Sequence, residues 1–585
     1  MSELASTAPV VPDLLRARAA DDPDAVALRV GDAGELTLGD WERRSNAAAR
    51  GLVDRGLRPG QLVALLLDND DLVEYAVGYL AVLKAGAVAV PLGRRFAGPQ
   101  LDHILRSATV VGVLSGTGAP PLAAGAWVAR PAALEADQAD DRYQVGVEST
   151  ELAEVIYTSG TTGMPQGVTC THANLMAHDV PPDAAAVHGT ISFLHCFPIG
   201  TQAAQEAMRV PLRVAKRVAV ALPVFDPAQL CALVARHRVA RLQLVPALAQ
   251  MLVSSDAHRH HDLSSVRRVI LSSAHAPPAL FARLTEIFPE ATLWNAYALT
   301  EAGGARTLMQ WDERRPSSVG RPVGETELRI VGESGDDRGT GETGEVWLRR
   351  RATPTRGYYR DPAATAAVFV DGWVRSGDLG HLDADGYLHL DDRLKDVIIS
   401  GGLNISSVEI EDALSEHPAV VEAAVFGVPH PVLGEQVAAA VVAAPGTTER
   451  DLRNFVRTRL AEHQVPRRLV LVDELPRNPS GKVRKTDLRR RYGEDGSAAP
   501  NVAPTGTMEE AVAAVWAELL GVPAVGAHDD FFALGGHSLV AVQITARLGE
   551  AFGIELDAGA VFEAPTVAEL AVVLAAARAA SGAGT

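Results

Sequence analysis

The chain has 585 residues, 47% of them hydrophobic and 22% charged, an ordinary globular composition with room for about four domains. Its 52 glycines and 35 prolines are too few for a collagenous or disordered chain, and a net charge of −18 argues against a nucleic-acid binder. The three cysteines, Cys170, Cys196 and Cys231, form no C-x-x-C pair, so neither a disulfide framework nor a structural zinc site is expected.

The N-terminal sequence MSELASTAPVVPDLLRARAADDP lacks a basic segment followed by an apolar run, so no secretory signal is expected. The most apolar long stretch, residues 75–92, contains Lys84 and several glycines. It reads as a buried helix followed by a buried strand rather than a membrane span. A cytoplasmic protein without membrane contact is therefore expected. Strand-like runs alternate with helical patterns through the first 390 residues: QLVALLL (61–67), AVAVPL (87–92), VVGVLS (110–115), RVAVAL (217–222), LQLVP (242–246) and RVILS (268–272). Runs of this length predict a largely parallel sheet with covering helices. From about residue 340 the texture changes to short alternating strands with Asp-Gly turns (GEVWLRR, GWVRSGDLG, DADGYLHL), which predicts antiparallel pairing. A smaller α+β unit is expected after Asp392. Residues 492–506 (YGEDGSAAPNVAPTG) read as a linker.

In the last segment, Thr507 and Glu510 form a capping-box pattern, and Val512, Val515, Trp516 and Leu519 share one helix face. Residues 507–580 carry ten acidic residues against two basic ones. That is either a well-solvated surface or a face for basic partners. The fold class expected is multidomain α/β. A large N-terminal α/β subdomain would cover 1–392 and a small α+β subdomain 393–491. Past the linker, a four-helix domain would cover 507–580.

Residues 157–167, Tyr-Thr-Ser-Gly-Thr-Thr-Gly-Met-Pro-Gln-Gly, follow the apolar run EVIY. Glycines let backbone N–H groups approach an anion and hydroxyls add donors. Alone, the segment reads equally well as a flexible surface loop, and it lacks the G-x-x-x-x-G-K-[ST] pattern of a P-loop. Together with four later segments it resembles the adenylate-forming superfamily of acyl-CoA synthetases, luciferases and nonribosomal peptide synthetase adenylation domains. Those segments are NAYALTE (295–301), GYYRDPAATAAVF with GWVRSGDLG, DDRLKDVIISGGLNISSVEIE, and LPRNPSGKVRK. The resemblance covers residues from about 10 to 490.

The resemblance implies a two-step chemistry on ATP and a carboxylic acid, with Mg2+. It implies nucleotide contacts by Thr158, Ser159, Gly160, Thr161, Thr162, Gly163, Ser273, Ala274, Asn295, Ala296, Tyr297 (stacked on adenine), Thr300, Asp378 (on both ribose hydroxyls) and Arg393. Glu301 would bind the metal, since a hard oxygen suits a cation shared with phosphates. Lys482 would bridge the substrate carboxylate and the α-phosphate, where two anions must meet. Lys395 would be the hinge between the subdomains, and Gly401 and Gly402 would line a pantetheine tunnel. Each has a plainer reading: a surface lysine or glutamate, a core tyrosine, a turn aspartate beside glycine, an ion pair of Arg393 with Asp391 or Asp392. Lys485, with Arg484, Arg489, Arg490 and Arg491, reads as a solvated basic face. Two residues depart from the family pattern: Gln166 stands where lysine is usual, removing a cation near the phosphates, and Ala298 stands for glycine.

Residues 529–539, Asp-Asp-Phe-Phe-Ala-Leu-Gly-Gly-His-Ser-Leu, resemble the signature of acyl and peptidyl carrier proteins. Ser538 would then carry 4′-phosphopantetheine, an anion suited to a helix N-terminus; the plainer reading is an N-cap serine. Phe562-Glu563-Ala564-Pro565-Thr566 resembles the lead into the carrier's last helix. The acid pocket is aligned with Thr201, Gln202, Ala203, Glu206, Leu248, Leu271, Ala296, Gly304 and Ala305. Activators of α-amino acids place an aspartate at the position of Gln202, and a neutral amide cannot hold an ammonium group. An ordinary α-amino acid is therefore disfavoured against an aryl or acyl acid, with a β-amino acid open if Glu206 points inward.

The function expected is adenylation of a carboxylic acid and its transfer as a thioester to the fused carrier, as a loading unit of natural product biosynthesis. It would be served by a phosphopantetheinyl transferase and a downstream acyl-accepting enzyme. Two other readings stay open: a carrier and interaction module with a degenerate adenylation part, and an acyl-CoA synthetase using free coenzyme A.

Overall fold

The computed structural model describes residues 8–582 except 32–33, 94–95, 97, 117–125, 159–163, 178–189, 352, 431–432, 479–481, 494–501, 530, 532–533, 535, 537 and 558. The chain divides into two compact units, Met1–Lys395 with Arg477–Val483, and Asp396–Pro476 with Arg484–Thr585.

In the first unit the continuous apolar runs become strands buried on both faces. One six-stranded sheet has the order Trp127–Ala129, Gly112–Ser115, Leu62–Leu66, Val88–Leu92, Leu152–Thr158, Gln166–Thr171. All its neighbours are parallel except the last pair. A second sheet of fourteen strands has a parallel centre in which Val26–Val30, Arg217–Ala221, Ile191–His195, Arg241–Leu244, Arg268–Ser272 and Thr292–Ala298 lie side by side. From Arg306–Gln310 onward its pairing is antiparallel, through Gly344–Arg350, Trp373–Leu382 and Leu388–Arg393. The antiparallel pairing expected from about residue 340 thus begins three strands earlier, at Arg306–Gln310.

Residues 75–92 fold as expected, with the helix Leu72–Lys84 leading into the strand Val88–Leu92. Lys84 is 1% exposed. Its Nζ donates to Glu42 Oε2 (2.8 Å), Ser45 Oγ (2.8 Å) and Asn46 Oδ1 (2.6 Å). Burial outweighs Glu42 and lowers this ammonium to about 8. Among the described residues no helix is long and apolar enough to cross a membrane.

In the second unit a five-stranded sheet is built on the antiparallel pair Val420–His430 and Gly434–Ala443. The helices Ser407–Ser415 and Glu449–Arg457 contribute Ile410, Leu414, Leu452 and Val456 to its core. Lys485 corrects the sequence reading: it is not on a solvated face. Its Nζ pairs with Glu411 (2.7 Å) and Ser407 Oγ (2.7 Å), and Arg489 pairs with Asp396 (3.0 Å).

The C-terminal segment forms the helices Gly506–Leu520, Ser538–Phe552, Gly559–Glu563 and Val567–Gly582 around Val512, Trp516, Phe531, Ile544, Leu548, Leu570 and Leu574. The first helix starts before the expected cap. Thr505 donates its N–H and hydroxyl to Glu509 Oε2, so the pair that closes this end is Thr505 and Glu509, not Thr507 and Glu510. Thr566 caps the last helix, its Oγ1 accepting from Glu569 N while Glu569 accepts from Thr566 N.

Candidate active site

The strand Leu152–Thr158 delivers Thr158 to the start of the Ser/Thr/Gly segment, and the antiparallel strand Gln166–Thr171 leaves it. Thr158 and Gln166 sit opposite each other, so the segment's two ends are pinned together. Ser159, Gly160, Thr161, Thr162 and Gly163 lie outside the described residues. A Cβ on Gly167 would come within 2.7 Å of Val155 Cγ1 and 3.0 Å of the Tyr157 ring, which explains the glycine after Gln166. Gln166 Nε2 reaches Asp361 Oδ2 at 3.5 Å.

Past the strand Thr292–Ala298, the chain turns through Thr300 and Glu301. Thr158 Oγ1 (3.4 Å) and Tyr358 Oη (3.3 Å) both donate to Glu301 Oε1. Among the described residues no hydrogen bond falls on Oε2, which leaves that oxygen for a cation. No cluster of three or more His, Cys, Asp or Glu side chains that could cage a metal occurs among the described residues. One carboxylate oxygen beside a hydroxyl fits a Mg2+ whose remaining ligands are phosphates and water.

Asp378 is buried between Tyr297 and Arg393, two other residues of the expected nucleotide site. Its Oδ2 accepts from Tyr297 Oη (2.7 Å) and its Oδ1 pairs with Arg393 Nε (3.1 Å). Asp378 and Arg393 are cross-strand neighbours, so the sheet itself sets this pair. Arg393 therefore turns its guanidinium to Asp378, and Asp392 accepts the Arg393 backbone N–H (2.6 Å). Tyr297 packs with Ala302, Ala305, Val319 and Ile330, and burial beside Asp378 raises its phenol well above the usual value. The Asn295 amide donates to the Ser318 carbonyl (3.0 Å), so its side chain braces the fold. Ala298 does not have a positive φ, and its methyl strains nothing. Ser273 does have one (+75°), beside exposed Ala274.

Lys482 belongs to the first unit, in the short segment Arg477–Val483. Two hydrogen bonds join Lys482 to Asn478, Lys482 N donating to the side-chain Oδ1 of Asn478 (2.9 Å) and Asn478 N to the Lys482 carbonyl (2.8 Å). Burial and the nearby Arg393 guanidinium lower its ammonium to about 8, against the opposing pull of Asp378 and Glu301, with Lys395 adding to the lowering. The expected lysine, ribose-binding carboxylate and metal ligand thus share one electrostatic neighbourhood. Gly401 and Gly402, in the second unit, form the turn between Ile398–Ser400 and Leu403–Ile405 with positive φ at both positions. Nothing is described of the Ser538 side chain; its backbone opens the helix Ser538–Phe552.

The pocket residues divide. Thr201 caps the helix Gln202–Arg213, its Oγ1 accepting from Ala204 N (3.2 Å). Ala203 and Leu248 are half-buried against Phe197 and Val245. Ala296 is half-buried, and Gly304 has φ +90°. Leu271 and Ala305 are fully buried, in separate hydrophobic clusters. Glu206 is corrected most. Its Oε1 takes Arg209 (2.7 Å) and Gln202 Nε2 (3.0 Å), and its Oε2 takes Arg213 (2.5 Å). Arg209 in turn reaches Glu154 (3.1 Å), itself held by Tyr79 Oη and Gln205 Nε2. The charge of Glu206 is already spent on two arginines, which removes the basis for a β-amino acid. Glu206→Gln should therefore destabilise the protein by about 2 kcal/mol, a broken buried pair discounted for the partial exposure of Glu206. Thermal melting would read this loss, with exchange activity reduced alike for every acid.

Sequence reasoning missed Glu154, Arg209, Arg356 and Tyr358. Arg209 and Arg213 were findable, since they stand three and seven residues after Glu206 on one helix face.

The model for AMP-binding enzymes matches residues 15–359. The chain belongs to the AMP-binding enzyme family. The C-terminal domain of such enzymes matches residues 409–482, and a phosphopantetheine attachment site matches 510–574. This AMP-binding enzyme is 36% identical to a feruloyl-CoA synthase of Amycolatopsis sp over 496 residues, which cover 81% of the chain and 98% of the relative. Tyrocidine synthase 3 of Brevibacillus parabrevis is 29% identical over 97% of the chain, which spans 9% of that protein. Among solved structures, ATP-bound MatB from Rhodopseudomonas palustris superposes with a TM-score of 0.73 at 28% identity, covering 83% of the chain and 99% of MatB. The protein is an acid–thiol ligase that adenylates an acid and carries a fused carrier domain. It uses ATP and Mg2+ and bears 4′-phosphopantetheine.

Proposed function

We propose that this enzyme activates an uncharged aryl or acyl carboxylic acid and loads it onto the pantetheine of its own carrier domain. The observation that carries this reading is the common neighbourhood of Lys482, Asp378, Arg393 and Glu301 in a chain that also holds a phosphopantetheine attachment domain. Lys482 bridges the acid and the α-phosphate and offsets their repulsion. A carboxylate oxygen attacks the α-phosphorus and the bond to pyrophosphate breaks. Asp378 would hold the ribose hydroxyls, Thr158 and Thr300 would contact phosphate, and Glu301 would hold Mg2+, which would supply positive charge against that of the phosphates. Ser538 would hold the pantetheine arm, whose thiol would supply the nucleophile that displaces AMP from the acyl carbonyl, AMP leaving with its electron pair and the thiol proton passing to solvent.

Domain limits at 392 and 491 and a hinge at Lys395 fit this two-step use, and the division of the chain after Lys395 supports the hinge. Gly401 and Gly402 would border the path of the arm. A phosphopantetheinyl transferase, a downstream acyl-accepting enzyme of a natural product pathway and a cytoplasmic location complete the proposal.

The neutrality of the pocket supports an uncharged acid. Gln202 commits Nε2 to Glu206, while its Oε1 is buried with no partner among the described residues. An acid bearing a hydroxyl would meet that acceptor. Intact-protein mass spectrometry of the pantetheinylated chain with ATP and a panel of hydroxyaryl, aryl, medium-chain, β-amino and α-amino acids tests this. A hydroxylamine-sensitive mass gain from the hydroxyaryl acids is expected, and loading of amino acids alone would overturn it. Free coenzyme A included in the same reaction tests the second reading, which the likeness to CoA ligases favours: acyl-CoA forming faster than the loaded carrier would support it.

The pH profile gives a further check. The ammonium form of Lys482 is the active one and prevails below about pH 8 in the free enzyme. kcat/KM for ATP in pyrophosphate exchange should therefore fall as pH rises through about 8, and Lys482→Arg should remove that limb.

A further inference from the structure

The segment 356–358 has no part in the reading above, yet it grips the metal-binding turn from behind. Arg356 is only 5% exposed. Its Nη1 donates to the Thr300 carbonyl, and its Nε is buried without a hydrogen-bond partner. Among the described residues no carboxylate pairs with it, in contrast to buried Lys84 and Arg209, each of which meets a glutamate. Two residues on, and so on the same side of an extended segment, Tyr358 Oη donates to Glu301 Oε1 (3.3 Å). Between them Gly357 is fastened to the strand that leaves the phosphate segment. Its N–H donates to Thr169 Oγ1 (3.0 Å) and its carbonyl accepts from Thr169 N (2.8 Å). Tyr359 N donates to the Gly167 carbonyl (2.7 Å). These residues tie the phosphate strand to the turn that carries Thr300 and Glu301.

We infer that Arg356 and Tyr358 are positioning residues for the Mg2+ ligand. Tyr358 occupies Oε1 of Glu301, which turns Oε2 to the cation. Arg356 fixes the Thr300 carbonyl, and with it the backbone from which Glu301 projects. Partners of this kind commonly change metal affinity by about 10–100-fold, and the length of the Tyr358 bond sets the expectation at the lower end. The inference rests on Glu301 being the metal ligand.

Equilibrium binding of ATP, measured by calorimetry without acid, in excess Mg2+ and again in EDTA, separates the possibilities. Tyr358→Phe should cut the Mg2+-dependent gain in ATP affinity by about 5–10-fold. Its affinity in EDTA should stay within about twofold of wild type. Arg356→Met should act in the same direction and Arg356→Lys should restore part of the gain. If Arg356→Met fails to fold, Tyr358→Phe alone decides. Equal weakening in Mg2+ and EDTA, or no change in either, overturns the inference. Glu301→Gln run alongside separates the two failures. If it loses the Mg2+ gain while Tyr358→Phe keeps it, the positioning role alone falls; if Glu301→Gln itself keeps the gain, the metal reading falls and the inference with it.

Discussion

Ser538→Ala is expected to leave acid-dependent pyrophosphate exchange within about twofold of wild type and to abolish every hydroxylamine-sensitive acyl adduct. Exchange uses only residues of the first unit, whereas the carrier helices have a core of their own around Trp516 and Phe531, whose rings lie 5.3 Å apart. Position 538 opens a fifteen-residue helix, where free N–H groups and the helix dipole favour a phosphodiester. Just before it, a Cβ on Gly536 would come within 2.4 Å of the Phe531 ring, so the approach of the chain to that helix is sterically fixed. The background of the assay is low for a physical reason. Cys170, Cys196 and Cys231 are all buried, and burial pushes the thiols of Cys170 to about 12 and Cys231 to about 11. None offers a thiolate to compete for the acyl group. An adduct that persists on Ser538→Ala would remove the carrier from the scheme.

Lys482→Ala is expected to lower pyrophosphate exchange by about 10²–10³-fold, the usual cost of removing one donor aimed at developing charge in a water-poor site. The loss should fall on kcat more than on KM for ATP, because Asp378, Arg393 and Glu301 remain to bind the nucleotide. Loading from acyl adenylate supplied ready-made should survive, which shows that the variant is folded. Exchange kept within about threefold would mean that the ammonium group takes no part in the chemistry.

The sequence made the strands legible where apolar runs were continuous, because a strand buried on both faces has no alternation to disguise it. QLVALLL and AVAVPL became Leu62–Leu66 and Val88–Leu92, buried throughout. Pairing order was not legible: Leu62–Leu66 lies between Gly112–Ser115 and Val88–Leu92, and nothing local to these segments encodes that neighbourhood. Motif residues came together as far as their backbones are described, since each sits at a strand end or turn whose chemistry is local. Burial of charge was the weak point. Lys485 lies in a run of basic residues that looks solvated, and its partners Glu411 and Ser407 are far away in sequence. Glu154 gave no sign at all, because its partners Tyr79 and Arg209 come from two other elements.

The group formed by Glu154, Glu206, Arg209 and Arg213 holds two carboxylates against two guanidiniums, with Glu154 and Arg209 fully buried. Recruiting Glu206 to meet an amine would require deleting an arginine, and that single step leaves an uncompensated ion inside the protein. Mutational paths that recruit Glu206 therefore cross a valley of poorly folded intermediates. Laboratory evolution aimed at that goal should start from libraries that alter positions 206, 209 and 213 together.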